Sequence, residues 1–293
     1  MITDASTMRI GGGPAPDDSR VAAIHAAIDL SDLALAKTFA SQAQGDLLAL
    51  IDRLVAEART SDLNECSSLL AHLSQSLAGL DPRHLEPRRG IAGWFDSRKR
   101  RLKAFRADYQ TCARSMVEAA SELIERGTGL DRRCRALDRL WQDVRAAILE
   151  VDAHIAAGLK RLSEQAQLAG AEEAGQHPLT ARIAVLIALR TAAIKQLSLT
   201  RAAQNADCHI PAQTVGVNAA VLTWRDDWRH GLGLAGKRPR KIRPDLVGLY
   251  RERETLAQTL VTVEREIALS RTRRSETDAR MARAAEAARR AVC

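Results

Sequence analysis

Five cysteines are the residues best suited to chemistry on a toxic or soft solute: Cys66, Cys112, Cys134, Cys208 and Cys293. Thiolates reduce or ligate soft centres. Their arrangement argues against a metal site. No Cys-x-x-Cys is present, and the adjacent Cys208-His209 pair is poorly placed to chelate one tetrahedral ion. Cys134 lies among Arg132, Arg133 and Arg135, which are expected to lower its pKa and make it the most reactive thiol. The competing reading, for each cysteine, is a small buried hydrophobe. His154 falls beside an apolar helical stripe, where a hydrogen-bonded core histidine competes with a ligand.

The familiar catalytic spacings are missing. There is no phosphate loop, no His-Glu-x-x-His and no Gly-x-Ser-x-Gly. Gly11-Gly12-Gly13 follows no strand, and Glu172-Glu173 reads as solvated charge. No catalytic residue, cofactor or metal ligand is therefore assigned, and the chain is expected not to be an enzyme.

Two basic clusters carry the stronger signal. Trp94-Phe95 precede Arg98, Lys99, Arg100 and Arg101. Aromatics beside cations suit an anionic membrane interface. The plainer reading is a helix start, with the rings packed on the bundle and the cations in water. Lys237, Arg238, Arg240, Lys241 and Arg243 form the second cluster, in the Pro-stiffened run GKRPRKIRP. It could hold phosphates of lipid or nucleic acid, or it could be a solvated loop. Trp224 and Trp228, four apart, share a helical face that serves either core packing or partner docking. The net charge of +8 and a pI near 9.6 point to an anionic partner without choosing its class. The Arg-rich tail lacks aromatics for stacking bases, so nucleic acid is the weaker candidate.

The elements that must position these residues are helices. Aromatics make up 3% of the 293 residues, while Ala, Leu, Arg and Glu dominate, a composition that suits helices and not strands. Residues 1–20 read as a disordered leader without a signal-peptide core, and 21–80 as two or three helices. Ser31 is placed to cap one of these. Ser61 or Asp62 can cap the next, with Glu65 as a capping-box partner. Residues 81–93, with Pro82, Pro87, Gly90 and Gly93, read as a linker.

From there Leu102, Tyr109, Met116, Leu123, Leu130, Leu137, Val144 and Val151 recur every seven residues. That is the signature of a coiled-coil seam. The phase runs unbroken through Gly127-Thr128-Gly129, which predicts one continuous helix of roughly 105 Å from residue 97 to about 167. The seam could close within one chain or between two copies.

Residues 170–178 read as a loop, 179–206 as an antiparallel partner helix broken at Pro211, and 214–230 as a further helix. The core is thus expected to span 94–236, followed by a basic loop at 237–244 and a C-terminal helix over 245–293. Its Arg-rich end beyond Ile267 is expected to fray or await a partner. No apolar run is long enough to span a bilayer; the longest is Ile183 to Leu189. Scattered, odd-numbered cysteines suit a reducing cytosol.

Several stretches together resemble one family. GWFDSRKRRLKAFRADYQ is similar to its Gly-aromatic-aromatic, basic, Tyr-Gln entry, and LDRLWQDVRAAILEVDAHIAAGLKRLSE to its Leu-Asp-x-Leu-Tyr helix. IDLSDLALAKTFASQAQGDL resembles its N-terminal segment. Gln204-Asn205, Thr223-Trp224 and the tail PDLVGLYRERETLAQTLVTVEREIALSRTRR extend the likeness to about residue 280, although Leu222 stands where Pro is usual and one helix is replaced by GKRPRKIRP. The family is the toxic anion resistance (TelA/KlaA) family. The resemblance implies a cytosolic helical protein of tellurite and stress resistance, with no catalytic residues to transfer.

The expectation is an all-α, elongated helical bundle of long antiparallel coiled-coil-like helices. It serves as a non-enzymatic interaction protein with protein partners in stress resistance, cytoplasmic or peripheral at the inner membrane face. The alternatives are a membrane or nucleic-acid binder acting through the basic clusters, and thiol chemistry on tellurite.

Overall fold

The computed structural model describes residues 15–59, 62–86, 97–169 and 171–292. Among them the elements are helical, without a strand. In chain order they are α1 (Asp18–Ala26), α2 (Leu33–Thr38), α3 (Ser41–Arg59), α4 (Leu63–Gly79), a 3-10 turn (Pro82–Leu85), α5 (Arg98–Ala169), α6 (Ala171–Gln176), α7 (Pro178–Asp207), α8 (Ile210–Gly231) and α9 (Leu246–Val292).

Two compact units form, each gathered from distant stretches of chain. The first takes α1, α2, α3, α5 from Arg135 onward, α6, α7 through Gln204, and α9 from Ser275. The second takes α4, α5 through Cys134, α8 with the residues just before it from Asn205, and α9 through Arg274. Each has its own apolar core.

The predicted continuous helix is present: α5 is 72 residues long and passes through both glycines. Gly127 shows why glycine belongs there. A Cβ at that position would come within 2.3 Å of Thr214 Oγ1 and 3.2 Å of Thr214 Cβ, so the missing side chain lets α8 approach. Past the half-buried Leu102, the seven-residue stripe is buried. Tyr109 is 3% exposed, Leu137 1%, and Met116, Leu123, Leu130, Val144 and Val151 0%. The stripe therefore packs within the chain, in the second unit against α4, α8 and α9.

Partners run antiparallel in each unit. In the first unit, Asp152 of α5 pairs with Arg190 of α7, and the Trp141 Nε1–H donates to Leu197 O at 3.2 Å. In the second, Phe105 meets Trp228 while Gly127 meets Thr214. Rising numbers on α5 meet falling numbers on its partner.

Several local expectations are corrected. The helix expected to start at Ser31 is split into α2 and α3 at Phe39-Ala40, where Ala40 takes φ 56° and the Phe39 carbonyl accepts from Arg182 Nε at 2.8 Å. Asp32, not Ser31, caps α2; its carboxylate accepts from the Ala34 and Leu35 amides. Asp62 makes no cap bond, because its carboxylate turns to Arg133 at 3.4 Å. Ser61 lies outside the described residues.

The stretch expected as a loop at 170–178 is largely helix α6. His177 then fixes the start of α7, its Nδ1 accepting from the Leu179 amide at 3.2 Å while its Nε2 meets Leu30 O at 3.1 Å.

The largest correction is the Arg-rich tail. It does not fray. Helix α9 runs to Val292, with Met281, Ala284, Ala285 and Ala288 buried and Arg289 bonded to Asp52 at 2.6 Å. These alanines, at helical spacing, form a buried stripe in the core of the first unit. Arg274 is itself 3% exposed and sits 3.4 Å from the buried Asp207.

One apolar window, within Pro178–Gly231, passes the length and composition test for a membrane span at mean hydropathy 1.4, with 44% of it buried. It extends past the Ile183–Leu189 run because Ala-rich turns continue the apolar character on both sides.

Candidate functional site: a basic end on the second unit

An aromatic cluster organises one end of the second unit. Trp224 and Trp228 of α8 stack with centroids 5.3 Å apart, with Tyr109 5.8 Å from Trp224 and Phe105 5.9 Å from Trp228. Offset and edge-on packing of this kind adds about 0.5–1.5 kcal/mol per pair beyond burial. The Tyr109 hydroxyl donates to Arg225 O, fixing α5 against α8. Burial raises the Tyr109 pKa well above the phenol range, so the hydroxyl keeps its proton and stays a donor.

Beyond this cluster, α8 ends in a tight reversal. Leu232 N donates to Trp228 O at 2.8 Å and Leu234 N to Arg229 O at 2.8 Å. Gly233 takes φ +70°, where a Cβ would also meet Arg106 and Ile242 at 3.1 Å. A left-handed glycine just past a helix end is the usual solution to its unsatisfied carbonyls. Arg106 then pins the loop to α5. Its Nε donates to Leu232 O and its Nη2 to Arg240 O, both at 2.8 Å. Burial lowers the Arg106 pKa from its usual value, but a guanidinium remains charged across the physiological range.

The consequence is electrostatic. Residues 97–106 and 229–246 hold Arg98, Lys99, Arg100, Arg101, Lys103, Arg106, Arg229, Lys237, Arg238, Arg240, Lys241 and Arg243. Against these twelve cations stands Asp245 alone, an excess of eleven where the whole chain carries +8. The rest of the molecule is therefore slightly negative, and the positive field is concentrated at this end. Asp226, Asp227 and Glu252 border it. Glu252 shows the local crowding of carboxylates: burial raises its pKa first, with Asp227 and Asp245 adding.

Arg106 thus ties the loop that carries the second predicted cluster to α5, the helix whose start carries the first. Arg98, Lys99 and Arg100 are exposed and Arg101 is half-buried; Lys237, Arg238, Arg240, Lys241 and Arg243 are all exposed. Trp94 and Phe95 lie outside the described residues. Trp224 and Trp228 are core residues, 2% and 0% exposed, as the packing reading has it.

Sequence reading missed Arg106. It sits one turn beyond the first run and looks like another solvated cation until its carbonyl partners are known. It also missed an open groove of about 560 Å³ between α5 and α8, rimmed by Arg114, Arg225 and Arg229.

Cys66, Cys112 and Cys134 are not activated: burial pushes all three up to about 11. For Cys134 the expected lowering is reversed: half-burial comes first, Asp207, Cys208 and Asp131 add to it, and Arg274 opposes weakly. Sequence neighbours on a helix point away from one another, so Arg133 turns to Asp62 instead. Cys208 is exposed, and Cys293 lies outside the described residues. His154 is half-buried, with Nδ1 2.8 Å from Glu150 O and its ring edge-on to Phe39. Among the described residues no three His, Cys, Asp or Glu side chains converge as metal ligands.

Fold and site together define an all-α helical protein with a cation-rich end and a neighbouring cleft. The sequence model of the toxic anion resistance protein (TelA) family matches residues 21–198, more than half of the chain, and the protein belongs to that family. The match runs from within α1 through most of α7; it does not reach Gln204-Asn205, Trp224 or the tail, so the basic loop lies beyond it. No curated protein matches, and no solved structure does.

Proposed function

We propose that this protein acts in toxic anion resistance without catalysis, as a helical interaction protein that holds protein partners through the basic end of its second unit. The observation that carries the reading is the Arg106 clamp. It spends a half-buried guanidinium on two loop carbonyls and so holds two cationic segments in fixed register. Fixed surface charge steers partners and sets specificity more than it adds raw affinity. The buried thiols, held in the protonated form, make direct reduction of an oxyanion a poorer account. The compartment this implies is the cytoplasm, where an acidic partner meets the basic end.

The test is complementation of a deletion strain in tellurite. Wild type restores growth. A variant with Arg98, Lys99, Arg100, Arg101, Lys237, Arg238, Arg240, Lys241 and Arg243 changed to Gln keeps its circular dichroism and fails to restore it. Full rescue by that variant sinks the proposal.

A second reading is a peripheral membrane or nucleic-acid binder acting through the same clusters. Val247, 68% exposed at the start of α9 and four residues after Arg243 in sequence, favours the membrane form, since an exposed apolar side chain next to a cationic loop suits a lipid interface. Sedimentation with phosphatidylglycerol vesicles, or mobility shift with duplex DNA at low salt, decides it. No binding to either removes it.

A further inference from the structure

We infer that the groove between α5 and α8 receives an acidic segment of a protein partner, with its carboxylates on Arg114, Arg225 and Arg229 and an apolar side chain on the floor. The inference rests on the interaction-protein reading and names how the partner is held.

The walls carry the chemistry. Arg225 and Arg229 stand four residues apart on one face of α8, with Arg114 facing them from α5. Val117, Leu234 and Ala113 line the floor. Arg225 already leans on Asp226 at 2.8 Å, and Arg229 Nε points at Leu234 O at 3.4 Å. A guanidinium carries five N–H donors, more than these contacts use, and its flat fork suits a carboxylate. The walls are also preorganised. The Tyr109 hydroxyl bond to Arg225 O and the aromatic cluster beneath hold α5 and α8 apart at a fixed distance. A rigid receptor loses little entropy on binding.

The groove opens onto the basic end. Leu234 lines it and belongs to the reversal that leads into residues 237–243. A segment leaving the groove therefore runs onto Lys237 and Arg238, which extends recognition beyond one or two carboxylates.

Other occupants fit less well. An open groove of about 560 Å³ leaves room for several side chains of a segment, more than an inorganic oxyanion fills. Glu118 on the rim opposes a continuous anionic surface such as a bilayer, but not a segment with spaced charges. Tyr109 is 3% exposed, so its ring offers no face on which a base could stack.

The test uses the full chain and a fluorescein-labelled peptide of three Leu-Glu-Asp-Glu repeats, with a Leu-Gln-Asn-Gln peptide as the uncharged control. Anisotropy is read at fixed ionic strength. Wild type binds the acidic peptide and not the control. The triple variant Arg114→Gln/Arg225→Gln/Arg229→Gln, folded by circular dichroism, weakens binding at least tenfold. Val117→Glu, which puts a like charge on the floor, weakens it as well. Changing the five cations at 237–243 to Gln gives a smaller loss that vanishes at high salt.

Unchanged binding by the triple variant overturns the inference. So does groove-dependent binding to phosphatidylglycerol vesicles or duplex DNA in place of the peptide. Failure of the parent reading looks different: the nine-cation variant described above then protects cells fully, whatever the groove binds.

Discussion

Gly127→Ala tests the α5–α8 packing at its tightest point. Two opposing terms are involved. Alanine is the better helix former by about 0.5–1 kcal/mol in a helix interior. The added Cβ, however, would lie 2.3 Å from Thr214 Oγ1 and 3.2 Å from both Thr214 Cβ and Cγ2. Rotating Thr214 to turn its Hβ toward the new carbon still leaves the 3.2 Å contact with Thr214 Cβ. The rotation would also break the Thr214 Oγ1–H bond to Pro211 O at 2.8 Å. Thr214 is 1% exposed and has nowhere to go, so α8 must shift. Overpacking of that kind costs about 1–3 kcal/mol, and the clash wins over the propensity gain. The net expectation is a loss of about 1–2 kcal/mol.

Urea unfolding followed at 222 nm measures it, together with Thr214→Ala and the double variant. Removing Oγ1 and Cγ2 leaves only the 3.2 Å Cβ contact. The double variant should therefore recover most of the Gly127→Ala loss, giving a coupling of at least 1 kcal/mol. A Gly127→Ala protein as stable as wild type, or losses that simply add, would refute the close approach.

Three further outcomes follow from the same geometry. With thiols near 11, the thiolate fraction of Cys66, Cys112 and Cys134 at pH 7 is about one in ten thousand. Iodoacetamide followed by peptide mass mapping should therefore label exposed Cys208 far faster than these three, and rapid labelling of Cys134 would contradict its burial. Trp228→Ala should cost about 3–5 kcal/mol, and Trp228→Phe clearly less, because it leaves a smaller cavity and the buried Nε1–H makes no hydrogen bond within the protein; equal losses by thermal melts would refute this.

Acid stability carries a definite sign. A hydrogen bond from Arg201, then one from Gln204, holds Asp138 below the usual carboxylate range, and Arg20 does the same for Glu150. A lowered folded pKa contributes stability that is present above the unfolded value, about 4, and is lost as pH falls through the folded value. The urea midpoint should hold level from pH 7 to 5 and drop below about 4, with a smaller drop in Asp138→Asn. An equal drop in that variant would refute it.

Much of the fold was legible because heptad phase is a long-range signal. Eight residues from Leu102 to Val151 keep one phase only if the helix never breaks, so Gly127 and Gly129 could be read through. What escaped the sequence depends on small residues and on distant partners. The alanine stripe of α9 carries little hydrophobicity per residue, so the arginines beside it dominated the reading. The break at Phe39-Ala40 is stabilised by Arg182, 143 residues away. The site was half legible. Both cation runs are visible as runs, but the tie between their elements depends on Gly233 at positive φ and on Arg106, neither of which stands out among 17 glycines and 44 Lys and Arg. The Cys134 thiol was misread for a related reason: sequence neighbours on a helix are not spatial neighbours.

The most direct test of the central claim, that protection depends on the basic end and not on thiols, is tellurite growth inhibition in a deletion strain. The strain would carry wild type, a variant with all five cysteines changed to Ser, or the nine-cation Gln variant, at matched protein levels. The account predicts full protection by wild type and the cysteine-free chain and none by the charge-neutralised one. Protection that survives neutralisation but disappears with the cysteines would contradict it.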